Sequence, residues 1–154
     1  MTIQNLSAQL PFVTKDGSTI RSILDRTNAP VENQSLAEAR VPAGGRTERH
    51  YHMVAEELYF ILEGTGEMEL DGERRIVGPG DAILIPPGAR HTVKATEPLR
   101  FLCCCAPPYS HADTYFEQRI GPRFRPTTRS KRHSRLSREG MRSNAAGAAK
   151  IQWN

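Results

Sequence analysis

Apolar and polar positions along this chain alternate with a period of two, in short runs cut by Gly and Pro. Successive side chains of a β-strand point to opposite faces, so this spacing predicts strands. Thr19–Leu24, rich in β-branched residues, and Ser35–Val41 are the first two, with a loop over 28–33 between them. Pro42, Ala43, Gly44 and Gly45 make a turn. Residues 46–52 are expected to form one strand, ended by a break at Met53, Val54 and Ala55. A strand over 57–63 follows, then a turn at 64–66 and a strand carrying Met68 and Leu70. Asp71-Gly72 is a favoured two-residue hairpin dipeptide, and 74–77 returns from it. Ala82–Ile85, a corner at Pro86, Pro87 and Gly88, a strand through Thr92, Val93 and Lys94, and a last strand over 99–105 complete the series. Tyr115 and Phe116 are expected to dock back onto it. Eight or more short strands with this punctuation predict an all-β sandwich or barrel.

The strand over 57–63 divides sharply. Glu57, Tyr59 and Ile61 share one face; Leu58, Phe60 and Leu62 share the other. If Glu57 points inward, the outer row is wholly apolar. A solvated sheet does not tolerate such a row uncovered. The cover is either the N-terminal segment or a second subunit, and a homodimer is the expectation.

Candidate chemistry centres on His50-Tyr51-His52. Two imidazoles at i and i+2 aim at one point. Glu57 lies an odd number of residues beyond His52, so only a turn at residues 53–55 lets its carboxylate join them. Two nitrogens and an oxygen, with room for a third nitrogen, form a metal-binding vocabulary.

At these residues the chain resembles the cupin superfamily, whose small single-domain bacterial-type members it is most similar to. The first cupin motif is matched by Gly44, His50, His52, Glu57 and Gly64, with every gap in register. The second is matched by Gly80, Pro86, Gly88 and His91, while Ala95 stands where the family has Asn. The resemblance covers residues 35–106. It implies a jelly-roll barrel (a double-stranded β-helix) in which His50, His52, Glu57 and His91 hold one divalent transition metal: Fe, Mn, Ni, Co or Zn. Four such ligands would close a tetrahedral zinc but leave two positions open on an octahedral ion.

Charge divides the chain. Residues 1–117 hold 16 carboxylates against 11 Lys and Arg, whereas 118–154 hold 10 Lys and Arg against one Glu. The expected organisation is therefore N-terminal strands joining the barrel (1–34), the cupin barrel (35–117) and a basic, disordered tail (118–154) that would meet nucleic acid only through its charge. No run is long and apolar enough to span a membrane, and the N-terminus lacks a basic start, so a cytoplasmic protein is expected. Cys103, Cys104 and Cys105 form no spaced framework and read as reduced thiols. Cys103 and Cys105 share a face with Phe101, which fits core packing, with a place on the cavity wall as the alternative.

Strand parity turns Tyr59, Ile61, Met68, Leu70 and Val93 inward as the cavity lining, with Tyr59 as the candidate catalytic residue. Arg49 and Arg90 neighbour ligands and face outward; only Arg40 or Arg100 is left to hold a phosphate. An apolar wall around an open metal points to an oxidoreductase of dioxygenase type, acting on a small oxygen-containing substrate. A non-catalytic small-molecule or metal-binding module and a sugar-phosphate-isomerase-like protein are the alternatives.

Overall fold

The computed structural model describes residues 1–117; the expected free basic tail over 118–154 lies outside the described residues. Eleven strands form two antiparallel sheets, and no α-helix occurs among the described residues. The larger sheet has the order β1-β2-β3-β10-β5-β8, comprising Phe12–Val13, Thr19–Leu24, Ser35–Val41, Leu99–Ala106, Glu56–Glu63 and Ala82–Ile85. The smaller runs β11-β4-β9-β6-β7, comprising Thr114–Phe116, His50–His52, His91–Ala95, Gly66–Leu70 and Glu73–Val77. Consecutive strands often lie in opposite sheets, so the chain crosses the core repeatedly. This is a jelly roll.

The alternation in β5 is as the pattern requires. Glu57, Tyr59 and Ile61 are buried, while Leu58 and Phe60 remain 44% and 43% exposed. Leu84 of β8, paired with Leu58, extends the apolar outer row. The N-terminal segment does not cover this row. It forms β1 and β2 at the far edge of the sheet, and its side chains line the interior instead.

Residues 46–52 are not one strand. Only His50–His52 pairs regularly, with Arg46 bridging Lys94 in isolation. The physical cause is competition for the backbone. The Thr47 hydroxyl accepts the Val93 amide, and the Glu48 amide donates to the Asp16 carbonyl of the N-terminal loop. Ala95, in place of the family Asn, is fully buried and exchanges backbone hydrogen bonds with Gly44 and Gly45. A small side chain suits a position that closes the turn against the backbone.

Gly64 sits at φ +78°, and a Cβ there would meet the Pro98 carbonyl oxygen at 2.1 Å. Both the left-handed backbone and the close approach demand glycine. Gly64→Ala is expected to lower unfolding free energy by about 2–4 kcal/mol, read from urea denaturation.

Candidate metal centre

Two sheets supply the four candidate ligands. His50 and His52 lie on one face of β4, His91 stands opposite His50 on β9, and Glu57 comes from β5 across the core. All four are buried, and one ligand atom from each lies within 4.8 Å of every other. The turn that re-aims Glu57 falls at residues 53–55, where the parity argument required it. Its three amides all donate to one carboxylate, that of Asp113, at 2.9–3.2 Å.

Each imidazole has its outer nitrogen tied to the backbone. Nδ1 of His50, His52 and His91 lies 2.7, 3.0 and 3.1 Å from the carbonyls of Glu48, Asp113 and Ala89. A carbonyl only accepts, so each Nδ1 carries the proton and donates. Each neutral ring then turns an unprotonated Nε2 to the centre. Glu57 Oε2 lies 3.5 Å from His52 Nε2 and 3.1 Å from His91 Nε2. Acceptors facing acceptors in a buried space need positive charge between them. One added proton can bridge a single His–Glu pair. A divalent cation satisfies all the inward lone pairs at once, so these residues fit a metal ion.

The electrostatics agree with that demand. Burial pushes the Glu57 pKa up, but the His52 and His91 rings beside it outweigh burial and hold the carboxyl well below its usual range. Burial pushes His52 down, yet the Glu57 carboxylate outweighs burial and raises it. His50 is lowered by burial and by the His91 ring beside it.

The cavity is not walled as the parity argument expected. Tyr59 lines it, but Ile61, Met68 and Val93 are packed in the closed core with Leu70 against them. Parity gave the correct face but not the depth. The open space lies on the β2, β3 and β10 side, where Ala37 and Ala39 of β3 are too small to fill it. Small residues at i and i+2 inside a strand were the available signal. The polar wall formed by Thr14, Asp16, Ser18 and Ser35, largely from the N-terminal segment, left no such signature.

Arg40 and Arg100 do not reach the cavity. They bind Glu38 on the outer face of the large sheet, and no Lys or Arg lines the cavity among the described residues. Arg49 and Arg90 face outward as expected, pairing with Glu117, and Arg49 also with Glu69. Cys103 and Cys105 are cavity residues as well as packing residues: the Cys103 thiol is 2.7 Å from Glu57 Oε1.

A family profile described as a cupin domain matches residues 37–105. The chain is 50% identical over 106 residues to protein MJ1618 of Methanocaldococcus jannaschii, spanning 68% of this chain and 85% of that protein. This chain belongs to the cupin family. The cupin is also 31% identical over 90 residues to the L-ectoine synthase of Rhodococcus opacus, spanning 57% of this chain and 67% of that one. Among solved structures, the polyketide cyclase RemF from Streptomyces resistomycificus is similar at TM-score 0.60 and 28% identity, over 69% of this chain and 79% of its own.

The strap over 107–116 brings Tyr109 and Thr114 to the cupin's cavity and holds the Tyr109 hydroxyl 3.2 Å from His111 Nδ1. Tyr115 and Phe116 return as β11 and pair with β4, opposite Tyr51 and His50. Asp113 joins the strap to both ligand elements, through its carbonyl to His52 and its carboxylate to the turn before Glu57. Asp113→Ala is expected to cost about 1–2 kcal/mol in urea denaturation, with faster hydrogen exchange at the amides of 53–55. Unchanged protection there would show that the turn holds itself.

Proposed function

We propose that this cupin is a metal-dependent lyase or cyclase, acting on a small hydroxylated substrate that is neutral or cationic, with loss of water as the bond-breaking step. The observation that carries the reading is the set of three Nε2 lone pairs and Glu57 Oε2, buried together beside a cavity lined by hydroxyls and the carboxylates of Asp16 and Asp25 but, among the described residues, by no Lys or Arg. One divalent ion, Fe, Mn, Ni, Co or Zn, would sit among His50, His52, Glu57 and His91 and supply Lewis acidity to a substrate oxygen.

The chain's own residues divide the remaining work. Thr14, Ser18 and Ser35 offer hydroxyls to orient the substrate. Asp16 accepts the Ser18 amide and hydroxyl through Oδ1 at 3.0 and 2.8 Å, which fixes its carboxylate at the cavity wall as a proton acceptor. Tyr59 is pushed well above its usual pKa by burial and by the Glu57 charge, and Tyr109 is raised by burial. Both phenols therefore keep their protons and serve as donors. Tyr109 hands a proton to the departing hydroxyl, and exposed His111 beside it restores that proton from solvent. Tyr59, beside His91, holds a substrate oxygen by hydrogen bonding.

The cyclase name of RemF supports this reading. A phosphate-bearing isomerase substrate is disfavoured because no Lys or Arg lines the cavity among the described residues. Dioxygenation is the second reading, favoured by the apolar side of the wall at Ile20, Ala39 and Phe101. Its original ground, a wall of Ile61, Met68 and Val93, lies outside the cavity.

His52→Ala is expected to remove the ion held at the histidines, lowering the metal content of full-length protein by about one equivalent per chain. Tyr109→Phe is expected to keep the metal and lower kcat by about a hundredfold. A screen of hydroxylated small molecules, read by mass loss of one water and in parallel by oxygen uptake, separates the two reactions. Oxygen uptake without water loss would overturn the lyase reading. Tight binding without turnover would make the protein a binding module.

We also propose that two copies pair through the outer row of Leu58, Phe60 and Leu84, whose exposure in a single chain is its support. Phe60→Glu is expected to convert a dimer to a monomer in light scattering without changing metal content. A wild-type monomer at micromolar concentration would overturn the pairing.

A further inference from the structure

Cys103 and Cys105 repeat, on β10, the device that aims the histidines. They stand two apart on one strand face, and both line the cavity beside Glu57. The histidine reading leaves these thiols without a chemical role. Their sulfurs are 3.9 Å apart, and the Cys105 sulfur is 3.5 Å from Glu57 Oε1. A tetrahedral ion with metal–sulfur bonds of about 2.3 Å and a metal–oxygen bond of about 2.0 Å places two sulfurs about 3.8 Å apart and sulfur and oxygen about 3.5 Å apart. Two of the three edges therefore already match. The third, Cys103 Sγ to Glu57 Oε1 at 2.7 Å, has to open by about 0.8 Å. That is within the reach of a side-chain rotation. The oxygen facing the thiols, Oε1, is not the one turned to the histidines, Oε2.

We propose that Cys103, Cys105 and Glu57 form a second cation site, for a thiophilic divalent ion of the zinc class, adjoining the histidine site and sharing Glu57 with it. Three protein ligands leave the fourth tetrahedral position open to the cavity, where water or a substrate oxygen completes the shell. Soft sulfur ligands give this site a different metal preference from that of the nitrogen-rich site. Filling it releases the two thiol protons to solvent and changes no oxidation state. The site does not require the histidine site to be loaded.

The test is titration of metal-free, full-length, reduced protein with Co2+ in the absence of oxygen. Stoichiometry and the sulfur-to-cobalt charge-transfer absorption in the near ultraviolet are both recorded. Wild type is expected to bind two equivalents per chain and to show the charge-transfer band. Cys104→Ser should change neither result. The Cys103→Ser/Cys105→Ser double variant should lose the band and one of the two equivalents. His52→Ala should keep the band while losing the other equivalent. If the histidine reading alone fails, wild type binds one equivalent with a band that His52→Ala leaves intact. Absence of the band in wild type, a band removed by Cys104→Ser, or a single equivalent whose band His52→Ala abolishes would each overturn the second site. The wild-type spectrum decides whether sulfur binds at all, so a variant that fails to fold does not leave the question open.

Discussion

The constraint on which this barrel depends is the burial of an ionised carboxylate, Glu57, against three imidazoles that have already committed their protons elsewhere. A buried charge is costly unless it is paired and hydrogen-bonded. Glu57 meets that demand on one side, where the Cys103 thiol donates to Oε1, and at Oε2 it faces the imidazoles of His52 and His91. The histidine side alone lacks a donor, because each ring's Nδ1 proton is held by a backbone carbonyl. The backbone thus selects the tautomer, and the tautomer selects a cation as the missing partner. Because Glu57 comes from one sheet and the histidines from the other, a cation there would also link the two halves of the sandwich. Its binding free energy would then add to folding stability.

The same arrangement explains why the end of the described chain returns to the site. β4 is three residues long and would be a frayed edge on its own. β11 pairs with it on one side, and the Asp113 carboxylate gathers the three amides that follow it. One residue therefore sets the orientation of His52 and the path to Glu57. Such a turn, with every amide occupied, has little freedom to let the carboxylate drift.

Much of this was legible because periodicity and spacing are local. His50-x-His52, the break at 53–55 and the split faces of β5 all follow from side chains alternating along a strand. What parity cannot give is depth. Ile61 and Glu57 share a face, yet one is closed core and the other lies at the cavity, because position along the strand decides which layer a residue enters. Partners brought from afar are equally invisible. Asp16 and Ser18 reach the cavity from a loop that shares no pattern with the ligands, and Asp113 acts from sixty residues away on the turn it holds. Arg40 and Arg100 were open to either face by composition. The buried Glu38 between them settled the matter, since three arginines including Arg21 satisfy one carboxylate on the outer sheet face.

That outward placement of the arginines bears on chemistry. Any anionic group entering the cavity would meet Asp16, Asp25 and Glu57 and no side-chain cation among the described residues. Attraction could come only from an ion held at the histidines or at the thiols, whose charge Glu57 and the thiolates already reduce. A phosphate carries too much charge for such a site and has no guanidinium to fork against. A hydroxyl or carbonyl oxygen asks for less: a single Lewis-acidic contact, a phenol that keeps its proton, and a carboxylate to accept one. Tyr59, Tyr109 and Asp16 offer the last two from separate walls of one cavity. Proton removal and proton delivery can then occur at different atoms of the same small molecule, and this separation is what elimination of water requires and simple ligand storage does not.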